Sequence, residues 1–98
     1  MANTQHVVGS RLIIEGEFRL DGVPTDPTIV RCYTRSPDGA VAELVYPSAD
    51  LVRIDLGTYE AFVTATMAGT WGFRFVGLGD VEAVREVVTT VAPSYVID

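Results

Sequence analysis

The stretch from Gly57 to Val76 constrains the fold more than any other part of the chain. It holds Gly57-Thr58-Tyr59-Glu60-Ala61-Phe62-Val63 and then Gly69-Thr70-Trp71-Gly72-Phe73-Arg74-Phe75-Val76. Both runs alternate, and in an extended strand alternate side chains fall on opposite faces. Tyr59, Ala61, Val63 and Ala65 share one face of the first run; Trp71, Phe73 and Phe75 share one face of the second. That much aromatic and aliphatic area on one side of two strands needs a second layer to cover it. The stretch therefore predicts a β-sandwich core built on Tyr59, Trp71, Phe73 and Phe75, with Ile14 and Phe18 supplied by an earlier strand.

Seven strands are predicted in all. In the first, Arg11 to Leu20, the residues Leu12, Ile14, Phe18 and Leu20 lie on one face, and Gly16 among them marks a bulge or a close backbone approach. A loop with Asp21-Gly22, Pro24 and Asp26-Pro27 leads to the second strand, Thr28 to Arg35, with Val30 and Cys32 inward and Arg31, Tyr33 and Arg35 outward. Pro37-Asp38-Gly39 is a turn: proline presets φ, and glycine takes the positive φ that follows. Val41 to Tyr46 and Leu51 to Leu56 come next, the latter with Val52, Ile54 and Leu56 opposite Arg53 and Asp55. Thr58 to Thr66 and Thr70 to Val76 follow, and then a turn at Gly77-Leu78-Gly79-Asp80. Residues 81–91 also match helical spacing through Val81, Val84 and Val88, but the β-branched run Val87-Val88-Thr89-Thr90-Val91 favours a strand. Seven short strands between turn signals argue for an antiparallel sandwich or a small barrel. The domain spans residues 11–91, between an N-terminal arm at 1–10 and a C-terminal arm at 92–98.

At 98 residues there is room for one core, yet 48% of the residues are apolar. Either the core is generous or apolar surface is covered by neighbouring subunits. The net charge is −6, and the seven cations are all Arg, spread through the chain. No run of them forms a basic patch, which argues against nucleic-acid binding and against anionic membranes. Cys32 is the only cysteine, so an internal disulfide is excluded. The opening residues lack the pattern of a secretory signal, and no stretch reaches the roughly 18–20 apolar residues of a membrane helix. These features point to a chain made and kept in the cytosol.

Catalytic constellations are missing from the pattern. His6, the only histidine, falls in the N-terminal arm, and no G-x-S-x-G elbow surrounds any serine. One Cys and one His cannot build a zinc site. Asp21 with Asp26, or Asp50 with Asp55, could set carboxylates at one end of a sandwich, but neither pair follows a calcium-loop spacing. Glu15, Glu17, Glu43, Glu60, Glu82 and Glu86 fall on solvated faces rather than across a cleft. Trp71 reads as a core anchor and Cys32 as a small buried hydrophobe. A carbohydrate-stacking platform would need aromatics in a row, and the pattern sets Tyr46 and Tyr59 too far apart for one. The expectation is a protein that is not an enzyme and carries no metal or cofactor.

Asp55-Leu56-Gly57-Thr58-Tyr59-Glu60-Ala61 resembles the D-x-G-x-Y-x-C stretch of immunoglobulin-type domains, with Ala61 where the disulfide cysteine would stand. Over roughly residues 7–92, the opening strand, the Pro-rich loop, Pro37-Asp38-Gly39, Gly57-x-Tyr59 and Gly69-Thr70-Trp71-x-Phe73-Arg74 are together similar to short immunoglobulin-like virion proteins of tailed bacteriophages. The resemblance implies an immunoglobulin-like antiparallel β-sandwich of about seven strands with two arms. It implies a structural role in the virion, assembled in the host cytoplasm: decorating the capsid or bracing the head–tail connection or tail. Partners would be other virion proteins (capsid, neck or tail subunits) in a symmetric array of many copies. Contacts are expected from Tyr95, Val96 and Ile97 and from His6, Val7 and Val8 before Ser10. The alternative is a displayed module that recognises a host-surface glycan or receptor.

Overall fold

Burial follows the two-residue period of the strands closely enough to define the layers. The computed structural model describes residues 6–79 and 83–93, which form an all-β structure with no helix among them. The strands are β1 (His6–Val7), β2 (Arg11–Glu17), β3 (Arg19–Leu20), β4 (Val23–Pro24), β5 (Ile29–Arg35), β6 (Val41–Val45), β7 (Leu51–Asp55), β8 (Thr58–Thr64), β9 (Gly69–Leu78) and β10 (Ala83–Ala92). A five-stranded sheet runs β1-β10-β9-β5-β6, a three-stranded sheet runs β2-β8-β7, and β3 with β4 makes a separate hairpin. Every pairing is antiparallel except that of β1 with β10.

The two larger sheets share one core. β2, β7 and β8 contribute Leu12, Ile14, Leu51, Tyr59 and Ala61; β5, β9 and β10 contribute Val30, Cys32, Trp71, Phe73, Phe75 and Val91. Phe18 and Phe75 are 0% exposed, Tyr59 and Phe73 2%, Trp71 4% and Ile14 7%. The Trp71 indole N–H donates to the Met67 carbonyl at 3.0 Å, so its one polar group is satisfied. Gly16 sits where a Cβ would come within 2.6–2.8 Å of the Phe75 ring. Its pairing with Tyr59 is in unbroken register, so the glycine marks a close approach of the sheets and not a bulge.

Several expected boundaries move. The first strand stops at Glu17, because Phe18 turns its N–H to the Gly57 carbonyl at 2.7 Å while its ring enters the core. Leu20 is exposed, in a hairpin whose turn residues Asp21 and Gly22 both have positive φ, at 52° and 81°. In β7 the inward residue is Leu51; Ile54 and Leu56 are exposed, and the register with β8 shifts between Arg53 and Asp55. β9 runs on through Gly77 and Leu78, which pair with Val30 and Ile29, so the expected turn there begins later. From residue 83 the last segment is a strand, paired with β9 from Ala83 to Val91; residues 81–82 lie outside the described part. Among the described residues there are ten strands rather than about seven, three of the ten being two-residue strands.

Candidate interaction surface

One end of the molecule is pinned by a single carboxylate. Asp26 accepts the Gly57 N–H at 2.7 Å, the Tyr59 hydroxyl at 3.2 Å and the Arg53 Nε at 3.0–3.1 Å. Gly57 can turn here only because it lacks a side chain: φ is +73°, and a Cβ would lie 2.6 Å from the Phe18 carbonyl oxygen. Burial opposes ionisation of Asp26, but hydrogen bonds from Arg53, Gly57 and Tyr59 outweigh it and hold the carboxyl below its usual range. Burial, reinforced by the Asp26 charge, pushes the Tyr59 hydroxyl up to about 12. The Tyr59 ring meets Phe18 and Tyr46 edge-on, with centroids 5.8 and 5.2 Å away. Tyr46 and Tyr59, too far apart in the sequence pattern, are therefore neighbours, but Tyr59 is buried and offers no stacking platform. Asp26 spends its carboxylate on internal donors, so it has the character of a lock and not of a binding site.

The outer face of the five-stranded sheet differs. Cross-strand register sets Val45, Arg31, Val76 and Val84 in one row, Glu43, Tyr33, Arg74 and Glu86 in the next, and Val41, Arg35, Gly72 and Val88 in a third. Val41, Val45, Val84 and Val88 are exposed, Val88 at 72%. Gly72 carries no side chain, and with Arg35, Val41, Arg74 and Val88 it lines an open groove of about 720 Å³. Arg31 and Arg74 face Glu43 and Glu86 at 3.6 and 3.9 Å, but the enclosed Arg31 Nε makes no hydrogen bond. Arg35 has no ion pair among the described residues. Arginines spread along the chain are thus gathered, three of them, onto one face.

On the far side, the three-stranded sheet turns Ile13, Glu15, Val52, Glu60 and Phe62 outward. Glu15 and Glu60 stand directly opposite each other, a like-charge pair that weakens the local pairing. Neither has an ion-pair partner among the described residues. Beside them, the Arg11 guanidinium lies 4.3 Å from the centre of the Phe62 ring.

The residues expected to make contacts fare differently. His6, Val7 and Val8 are not part of a free arm: His6 and Val7 pair with Val91 and Ala92, and the Val8 N–H donates to the Ala92 carbonyl at 3.1 Å. Val8 packs against the core, so residues 6–8, expected in the arm, are held to the sheet. Tyr95, Val96 and Ile97 lie outside the described residues. Burial pushes the Cys32 thiol up to about 12. Among the described residues no three His, Cys, Asp or Glu side chains gather to hold a metal, and no helix is long and apolar enough to cross a membrane. The pattern missed Asp26 as a structural acceptor, the Gly72 groove and the Glu15–Glu60 pair, all of which depend on residues distant in sequence. No family model, curated protein or solved structure matches the chain.

Proposed function

We propose that the chain is a non-enzymatic structural protein of a bacteriophage virion, an immunoglobulin-like sandwich that binds the capsid or the head–tail assembly in many copies. The observation that carries this reading is the pair of uncovered sheet faces. Both outer faces expose aliphatic side chains, Val41, Val45, Val84 and Val88 on one and Ile13 on the other. Apolar side chains gathered on one face mark a surface made to be covered.

The strand order supports the immunoglobulin-like part. With the small hairpin set aside, β2, β7 and β8 take the places of strands B, D and E, and β5, β6, β9 and β10 those of C, C′, F and G. In that assignment the Asp55-to-Ala61 motif falls on strand E, whereas the family's tyrosine corner opens strand F. The Tyr59 hydroxyl also bonds a carboxylate from a distant loop instead of nearby backbone. Topology, not the motif, is the stronger support.

The test is to delete the chain's gene from a producing phage and compare purified particles. Quantitative mass spectrometry of wild-type particles should find the chain at a copy number set by the particle's symmetry. Particles without it should lose heat or salt resistance. A chain absent from purified particles sinks the reading.

A further inference from the structure

The two outer faces have opposite electrical character and complementary shape. We infer that they are halves of one contact, through which a copy of this chain stacks its five-stranded sheet onto the three-stranded sheet of the next copy. The five-stranded face carries Arg31, Arg35 and Arg74 against Glu43 and Glu86, a net charge of +1 on a chain whose total is −6. Along β2 and β8 the three-stranded face carries Glu15, Glu17 and Glu60 against Arg11, a net of −2, with Glu17 tied to Arg19. Arg35 on one face and Glu15 and Glu60 on the other have no ion-pair partner among the described residues, and they have opposite signs.

Shape agrees with charge. The five-stranded face has a hollow at Gly72, bounded by Arg35 and Val88, and a Cβ there would meet nothing closer than 4.0 Å. The three-stranded face has protruding apolar side chains, with Ile13 53% exposed beside Phe62. A contact with itself by either face would set like against like: two hollows on one side, two carboxylate pairs on the other. Joining unlike faces brings Arg35 toward Glu15 and Glu60 and seats an apolar side chain in the hollow. Such a head-to-tail contact does not close on two copies; it propagates into a ring or a filament.

The area sets the strength. Three strands about 4.8 Å apart and roughly seven residues long at ~3.4 Å each give a flat patch on the order of 350 Å² per partner. That is under the ~800 Å² per partner of a stable standard complex, so the free protein should associate weakly, at high concentration and low salt. The inference does not depend on the virion reading; any array of this chain would use it.

Sedimentation velocity from micromolar to millimolar protein tests it, with three variants. Wild type should grow beyond a dimer as concentration rises, and salt should suppress the growth. Gly72→Trp fills the hollow and should weaken association about tenfold or more. Arg35→Glu does the same without adding bulk, should the first variant fold poorly by circular dichroism. Glu15→Lys turns the like-charge pair into an opposite one, so it should raise the melting temperature while weakening association. Mixing Gly72→Trp with Glu15→Lys leaves one intact face on each and should give a one-to-one dimer and nothing larger. A wild type that stays monomeric at millimolar concentration overturns the inference. So does loss of association in variants of one face only, or a mixture that remains monomeric.

Discussion

The Asp26 end and the outer face of the five-stranded sheet both present arginine, carboxylate and tyrosine, yet they use them in opposite ways. At the Asp26 end one carboxylate receives a backbone N–H, a hydroxyl and a guanidinium, all within 3.2 Å. On the sheet face the ion pairs are long, at 3.6 and 3.9 Å, one arginine nitrogen is unbonded, and the valines between them are exposed. Polar groups satisfied at home stabilise the fold and have nothing left for a partner. Groups left partly satisfied contribute little to the fold and remain available. The difference predicts which changes damage stability and which damage association.

The largest effect should come from Gly57→Ala. A positive φ and a contact with rigid backbone add to a loss of about 3 kcal/mol, read by urea denaturation. Asp26→Ala should cost about 2 kcal/mol, because the Gly57 N–H and the Tyr59 hydroxyl are left without their acceptor. The same carboxylate gives a pH signature. Its pKa in the folded protein is lowered from 3.8, so the unfolded chain binds the proton more readily. The stabilisation is then fully present above about pH 4 and fades as pH falls through the folded-state value. Asp26→Asn should flatten that part of the stability curve, and an unchanged acid limb would detach Asp26 from the lock. Tyr59→Phe should cost about 1 kcal/mol, since the ring contacts remain and only the hydroxyl bond is lost.

The smallest effect on stability should come from the other region. Val88→Ser, on the exposed rim of the Gly72 groove, should alter unfolding free energy by less than about 0.5 kcal/mol. A large loss there would mean that the face is part of the fold's own support, and the contrast between the two regions would collapse.

The core was legible because its signal is local. Two-residue alternation alone puts Tyr59, Ala61, Trp71, Phe73 and Phe75 inside, and a glycine on the apolar face of β2 announces the close approach to Phe75. What the pattern misjudged depends on contacts far apart in sequence. Alternation carried the first strand through to Leu20, but Phe18 is captured by Gly57 and the chain leaves the sheet. In β7 the inward parity belongs to Leu51, which pairs with buried Ala61, so the apolar set Val52, Ile54 and Leu56 is on the other side and Ile54 is exposed. β1 is two residues long and cannot display a period at all. The groove exists only because register sets residues 35, 72 and 88 side by side.

β1 and β10 run parallel, side by side, with His6 beside Val91 and Val7 beside Ala92. A tether drawing the two strands apart along their length would load these hydrogen bonds simultaneously, in shear, instead of peeling them one by one. A domain so arranged yields late to stretching, and tension across it would be borne first by the seam where the last strand meets the first.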